Sequence, residues 1–100
     1  MFHRLLRTLD LYDGLRLPVK VGRLEPLLIH EEGETRLMQR RCPHADFPLD
    51  RCTINHGELR CPGHGLMFSL RSGRCLSAGY QLEQYPLSYD GPWLGVDLPA

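Results

Sequence analysis

Proline and glycine interrupt this sequence so often that no long helix is expected. Eight Pro and ten Gly occur in 100 residues and divide the chain into short segments. The best helical candidate runs from Leu5 to Leu15, and Gly14 and Pro18 mark its end. The apolar periodicity there is too short to favour a helix over short strands. The chain is therefore expected to consist of short strands and turns.

Alternating segments bounded by turn residues predict antiparallel strands. Gly33 lies in a short polar turn, where a positive φ is expected, and Asp90-Gly91-Pro92 is a second hairpin signal. We predict two hairpins and two further short strands, at residues 24–30 with 35–41, 82–89 with 93–98, 57–60 and 66–70. This pattern is typical of a small antiparallel all-β domain.

Length and composition indicate one ordinary globular domain, spanning residues 1–100. Apolar residues make up 42% of the chain and charged residues 24%, which excludes wholesale disorder. Twelve Lys and Arg balance twelve Asp and Glu, so the net charge is zero. Without an overall basic field to attract phosphates, no nucleic-acid partner is expected.

The apolar stretches are too short for a membrane protein. A typical one is Leu27-Leu28-Ile29, whereas a helix that spans a bilayer needs about 20 apolar residues. Arg4 and Arg7 break up the N-terminal segment before a signal peptide could form. We therefore expect a cytoplasmic protein, in which the four cysteines are metal ligands or plain thiols rather than disulfides.

Two short motifs carry the candidate chemistry. They are Cys42-Pro43-His44 and Cys61-Pro62-Gly63-His64, separated by sixteen residues. Each motif places a sulfur and a nitrogen donor close together in a loop. Pro43 and Pro62 favour a turn there, because proline fixes φ and has no N–H to donate to a neighbouring strand. The spacing therefore predicts a metal centre built from two loops.

Two Cys and two His suit two kinds of metal centre. One is a single tetrahedral zinc, which would staple a small binding module. The other is a [2Fe–2S] cluster with two thiolates on one iron and two imidazoles on the other, the ligand set of Rieske centres. Zinc fingers group their two Cys in one knuckle and their two His on a helix. Here each loop provides one Cys and one His, which favours the cluster.

The segments Arg41-Cys-Pro-His-Ala-Asp-Phe-Pro-Leu49 and Arg60-Cys-Pro-Gly-His-Gly-Leu-Met-Phe68 resemble the two cluster-binding loops of Rieske-type [2Fe–2S] ferredoxins. The resemblance extends over roughly residues 20–98. It implies a small antiparallel Rieske-like domain with cluster-binding loops at about 42–49 and 61–68. It also implies one [2Fe–2S] cluster per chain, held by four ligands: Cys42, His44, Cys61 and His64.

The resemblance further implies a one-electron carrier rather than an enzyme. A ferredoxin reductase would reduce the cluster and a terminal oxygenase, or another redox enzyme, would oxidise it. One alternative is an accessory small subunit of a nitrite-reductase-like oxidoreductase, a class that resembles this fold but commonly lacks the ligands. The zinc-stapled binding module remains the other alternative. The identities of the electron donor and acceptor do not follow from the sequence.

Departures from the high-potential respiratory Rieske proteins predict a low reduction potential. Phe47 and Gly63 occupy the positions of a disulfide in those proteins, and Leu66 and Phe68 replace hydroxyl donors near the cluster sulfurs. Fewer hydrogen bonds to sulfur leave the reduced cluster less stabilised. We predict a potential at the low end of the Rieske range, on the order of −150 mV.

The remaining cysteines and aromatic residues are interpreted as packing residues. Cys52 and Cys75 have no second donor at ligand spacing. The segment 77–81, where many relatives have a proline loop that covers the cluster, contains no proline. The aromatic residues near the C-terminus are predicted to pack in the core and on the sheets rather than to relay electrons: Tyr80, Tyr85, Tyr89 and Trp93.

Overall fold

The computed structural model describes residues 1–63 and 65–97. Within these residues the chain forms ten strands and one short 3-10 helix, which confirms the predicted all-β class. In chain order they are β1 (Phe2–Arg7), the 3-10 helix (Thr8–Asp10), β2 (Leu15–Pro18), β3 (Leu27–Glu31), β4 (Glu34–Met38), β5 (Thr53–Asn55), β6 (Glu58–Arg60), β7 (Met67–Ser69), β8 (Gln84–Tyr85), β9 (Ser88–Asp90) and β10 (Trp93–Asp97).

The described strands form three antiparallel sheets. Strand β10 lies between β1 and β9 in the first sheet, and the second has the order β2-β3-β4-β8. Strands β5, β6 and β7 form the third sheet as a simple meander. The candidate ligand loops connect β4 to β5 and β6 to β7, so both begin or end at the third sheet.

The second sheet, of strands β2, β3, β4 and β8, separates two hydrophobic cores. Because side chains alternate along a strand, Leu27 and Ile29 of β3 enter one core and Leu28 enters the other. The same alternation in β4 sends Met38 to the first core and Leu37 to the second. The first core continues under the ligand loops, whereas the second lies against the sheet of β1 and β10.

A carboxylate attaches the third sheet to the second. Glu32, in the turn between β3 and β4, accepts hydrogen bonds from the backbone N–H groups of His56 (3.0 Å) and Gly57 (2.9 Å) in the turn between β5 and β6. These two hydrogen bonds lower the pKa of Glu32. Arg16 adds a second link, from its Nε to the carbonyl of Cys52 (3.4 Å). The Glu32 attachment lies at the end of the third sheet opposite the ligand loops, whereas the Arg16 link reaches Cys52 at the loop end.

The structure shortens or divides several predicted strands. The hairpin over 24–30 and 35–41 is present as β3 and β4 with trimmed ends, and its turn residues Glu32 and Gly33 have positive φ (54° and 76°). The strand predicted over 82–89 is wrong as one element, because β8 pairs with β4 whereas β9 pairs with β10. Pro86 lies between them and has no N–H to continue a ladder. Leu98, the predicted end of the last strand, lies outside the described residues.

The segment 5–15 holds the end of β1, the 3-10 helix and the first residue of β2, in agreement with the expectation of short strands rather than a long helix. The aromatic residues depart in part from their prediction: Tyr89 lies in β9 but is 62% exposed, and Tyr80, 36% exposed, lies in none of the described strands. No helix among the described residues is long and apolar enough to cross a membrane.

Candidate metal centre

The first ligand loop is closed by its own backbone. The N–H of Cys42 donates to the carbonyl of Phe47 (2.8 Å), and the N–H of Asp46 donates to the carbonyl of Cys42 (2.8 Å). Asp46 adopts the left-handed conformation that this closure needs, with φ of 57°. A hydrogen bond from the N–H of Leu49 to the carbonyl of Arg40 (2.7 Å) fixes the base of the loop. The loop is thus a tight turn that begins at its cysteine.

The second loop repeats the same hydrogen bonds. The N–H of Cys61 donates to the carbonyl of Leu66 (2.9 Å), and the N–H of Gly65 donates to the carbonyl of Cys61 (2.9 Å). In both loops these bonds join the cysteine to the residues four and five positions later. Gly65 occupies the left-handed position, with φ of 70°. Two segments of different sequence therefore present their cysteines on the same backbone turn.

The two turns bring the thiols of Cys42 and Cys61 together. Each cysteine is 1% exposed, and the two thiols lie close enough for the Cys61 side chain to raise the pKa of Cys42. Burial raises the pKa of Cys42 and the Cys61 thiol adds to the rise, while the backbone N–H groups of His44 and Ala45 point at the Cys42 sulfur and act in the opposite direction. A dry pair of sulfurs with N–H donors is a donor set that fits one iron of a [2Fe–2S] cluster.

Of the two predicted histidine ligands, the structure describes His44. His44 is exposed at the tip of the first loop, and its ring meets the ring of Tyr80 edge to face, with centroids 5.2 Å apart. The predicted ligand His64 lies outside the described residues. Among residues 1–63 and 65–97 no three His, Cys, Asp or Glu side chains form a group that could hold a single metal ion.

Tyr80 is the site residue that sequence reasoning missed. The N–H of Cys75 donates to the carbonyl of Tyr80 (2.9 Å), and this turn places the tyrosine ring against His44. The segment 77–81 therefore covers the first loop with an aromatic ring, without the proline that many relatives have there. The two residues are 36 positions apart and share no motif, so no local signal could have linked them.

The first loop also contacts the second through an aromatic side chain. A Cβ placed on Gly63 would lie 2.8 Å from Cγ of Phe47, so the Phe47 ring rests directly on the Gly63 backbone. Any larger residue at position 63 would force the ring to move. At the pair of positions where the respiratory Rieske proteins are expected to have a disulfide, this chain has a ring packed on a glycine.

Cys52 and Cys75 are both buried in the first core, which agrees with their interpretation as packing residues. Burial raises the pKa of the Cys52 thiol. Burial acts in the same direction at Cys75, but the N–H and hydroxyl of Ser77 and the N–H of Ala78 point at its sulfur and together lower its pKa. Cys75 therefore belongs to the turn that carries Tyr80.

The sequence of this chain is similar to a known family and to proteins of known name. The family described as "Rieske [2Fe-2S] domain" matches residues 2–86. The ferredoxin component of the alkene monooxygenase system of Xanthobacter autotrophicus is 32% identical over 84 residues, which cover 82% of this chain and 69% of that protein. Apoptosis-inducing factor 3 of Homo sapiens is also 32% identical, over 77 residues and 77% of this chain, but the chain spans only 12% of its length.

Solved structures share the fold. A ferredoxin of Sphingomonas yanoikuyae B1 superposes with a TM-score of 0.84 at 20% identity, covering 99% of this chain and 100% of that one. A protein described as the small subunit of an NADH-dependent nitrite reductase from Mycobacterium tuberculosis gives a TM-score of 0.82 at 16% identity, covering 100% and 96%. The matches confirm the resemblance stated from the sequence and the expectation of a [2Fe–2S] cluster.

Proposed function

This chain belongs to the Rieske [2Fe-2S] domain family, and we propose that it is a one-electron carrier that takes electrons from a reductase and passes them to a terminal oxygenase. The alkene monooxygenase relative is by its name the ferredoxin component of an oxygenase system. The 3-phenylpropionate/cinnamic acid dioxygenase ferredoxin subunit of Shigella flexneri has the same kind of name. The proposal also includes one Rieske domain over residues 1–100 and a location in the cytoplasm.

The proposed ligands are Cys42 and Cys61 for one iron and His44 and His64 for the other. The observation that carries this assignment is the pair of buried thiols, which two loops with the same backbone closure bring into contact. In both loops the histidine follows the cysteine in sequence, by two residues from Cys42 to His44 and by three from Cys61 to His64.

The ligand set supports reduction by one electron. When bound, a [2Fe–2S] cluster accepts and releases single electrons. Two thiolates and two neutral imidazoles bring the oxidised site to zero net charge, whereas four thiolates would make it negative before the electron arrives. Cys42 and Cys61 keep water from the sulfur side because they are buried, whereas exposed His44 leaves the imidazole side open to a partner.

Metal analysis of protein purified without oxygen tests the proposal. We expect about two irons and two acid-labile sulfides per chain, an EPR signal of the Rieske type after reduction with dithionite, and reoxidation without loss of iron. One zinc per chain would support the zinc-stapled module instead. Retention of the Rieske EPR signal in the His64→Cys variant would contradict the ligand assignment.

The nitrite reductase small subunit is the second candidate, and the shared fold with the Mycobacterium tuberculosis protein is the observation that favours it. The two candidates differ in the partner that they serve. A carrier cycles between reduced and oxidised states while it transfers electrons between separate proteins, whereas an accessory subunit co-purifies with its large subunit. Co-purification from the native source, followed by size-exclusion chromatography, separates these outcomes.

A further inference from the structure

The side chain of an arginine lies along the backbone of each candidate ligand loop. Arg41 and Arg60 immediately precede Cys42 and Cys61. Nη1 of Arg41 donates to the carbonyl of Asp46 (3.1 Å), at the left-handed position of the first loop. In the second loop, Nη2 of Arg60 would lie 3.4 Å from a Cβ placed on Gly65, the equivalent position. Both arginines are exposed, so the two loops hold two positive charges beside the metal centre in related positions.

A third arginine lies between the loops. Arg51 is exposed and lines two adjoining grooves, one with Arg60 and the second-loop backbone around Pro62, the other with Phe47. Arg40 also reaches this region, but it makes a two-pronged ion pair with Asp50 (2.9 and 2.8 Å). The charge of Arg40 is therefore balanced locally. Arg51 and Arg60 line one groove together, whereas Arg41, on the first loop, lines a separate groove with Arg40 and Glu25. We call Arg41, Arg51 and Arg60 the positive rim.

Partly exposed aromatic rings lie on the same loops as the rim or beside them. Phe47 is 43% exposed and lines a groove with Pro48 and Pro62. Tyr80, 36% exposed, lies beside His44 at the tip of the first loop. Apolar groups at the centre and arginines at the edge are the usual arrangement of a protein–protein interface.

The chain as a whole has zero net charge, so the arginines beside the loops do not reflect a basic protein overall. Strand register places Arg60 opposite Met67 at the loop end of the third sheet and Glu58 opposite Ser69 at the other end. Arg71 follows β7 at that other end, so both signs of charge occur there.

We propose that this rim of Arg41, Arg51 and Arg60 docks an acidic face of a redox partner protein over the metal centre. The inference rests on the proposed function, because it names the surface by which the carrier would exchange its electron. Opposite charges accelerate encounter and orient the two proteins, and added salt weakens this effect. The exposed rings of Phe47 and Tyr80 would then be covered in the complex.

Charge-reversal variants test the rim, and the chain provides a matched control. Arg51→Glu places a negative charge in the rim. Arg71→Glu makes the same change in net charge at an exposed position just beyond the end of β7 that lies away from the loops. Arg60→Gln removes one rim charge without reversing it. Iron content and the EPR signal of all three are compared with those of the wild type: absence of the cluster from the wild type would count against the proposed function, whereas its loss in Arg51→Glu or Arg60→Gln alone would show that the arginine supports the loop and would overturn the docking proposal.

Oxidation of the dithionite-reduced protein is measured by stopped-flow absorbance with two small complexes, anionic cobalt–EDTA and cationic hexaamminecobalt. We expect the wild-type rate with the anion to fall as salt is added and the rate with the cation to rise. Arg51→Glu should lower the anion rate several-fold at low salt, Arg60→Gln should lower it less, and Arg71→Glu should leave it near the wild-type value. Equal effects of Arg51→Glu and Arg71→Glu would overturn the proposal.

Two further measurements separate docking from other roles of the arginines. On a sulfonate cation exchanger, Arg51→Glu should elute at lower salt than Arg71→Glu although their net charges are equal. The acidic protein cytochrome b5 should accept electrons from the wild type with a rate that falls with salt, and Arg51→Glu should slow this transfer. If Arg51→Glu shifts the midpoint potential but changes neither elution nor the salt dependence, the rim acts on the cluster and the docking proposal fails.

Discussion

The two ligand loops share a backbone and differ in the side chains that support it. In both, the cysteine N–H donates to the carbonyl five positions later, and the N–H four positions later donates to the cysteine carbonyl. The first loop has Asp46 in the left-handed position and projects Phe47 across the gap, whereas the second has Gly65 there and Gly63 beneath the ring. The first loop therefore provides the Phe47 ring, and the second provides the Gly63 backbone on which that ring packs. Two different sequences can thus form equivalent turns although only one of them contributes a large side chain to the contact between the loops.

The largest expected effect concerns the feature that the loops share. If the two cysteines are equivalent ligands, Cys42→Ser and Cys61→Ser should each abolish cluster binding to the same degree. The measurement is iron and acid-labile sulfide per chain. Cys52→Ser, a buried cysteine outside the ligand motifs, is the control and should retain its iron. A Cys42→Ser protein with a full complement of iron would break the equivalence.

The next effect tests the left-handed positions. Gly65→Ala introduces a Cβ at φ of 70°, which costs about 1–2 kcal/mol. Asp46→Ala changes a residue that already bears a Cβ at φ of 57°, and its cost should be smaller because only the tolerance of Asp for this conformation is lost. Thermal loss of cluster absorbance should therefore begin at a lower temperature in Gly65→Ala than in Asp46→Ala. The reverse order would show that the loops do not rely on the same turn.

The contact between Phe47 and Gly63 gives a third test. Phe47→Ala removes the ring, and Gly63→Ala displaces it, so each single variant should release iron to a chelator faster than the wild type. Once the ring is absent, alanine at position 63 meets no obstacle from it. The double variant should therefore resemble Phe47→Ala alone, which is non-additivity of neighbours. Additive effects of the two substitutions would argue against a direct contact between the loops.

The smallest expected effect concerns the ion pair between Arg40 and Asp50, which flank the first loop. The Arg40 guanidinium holds the pKa of Asp50 below its ordinary value of 3.8. Because the folded pKa is lowered, this pair stabilises the protein above the unfolded pKa and the contribution is lost as the pH falls through the folded pKa. Arg40→Gln should therefore lower the thermal midpoint at pH 7, and the difference from the wild type should shrink below about pH 4. If the thermal midpoints of Arg40→Gln and the wild type still differed by the same amount at pH 2, the ionised carboxylate of Asp50 would not be the cause of the difference.

Local patterns predicted the parts of this structure that local chemistry decides. The turn around Gly33 and the alternation of β3 and β4 follow from residues a few positions apart, and the pairing of Cys with His in each loop was visible as spacing. The repeated arginine before each ligand cysteine was visible too, although its position on the loop backbone was not.

Long-range packing decided the rest. The division of 82–89 between two sheets depends on which strands lie nearby, and the sequence marks it only with Pro86. The contact of Tyr80 with His44 depends on the turn that begins at Cys75. Neither could be predicted from periodicity, because both are set by segments that are distant in sequence.

Mössbauer spectroscopy of protein enriched in ⁵⁷Fe tests most directly whether the two loops together hold one two-iron centre with unlike irons. The account predicts two ferric sites of equal area with different isomer shifts in the oxidised protein, one bound by thiolates and one by imidazoles, and only the imidazole-bound site becoming ferrous on reduction. Two ferric sites with the same isomer shift, or one iron per chain, would contradict it.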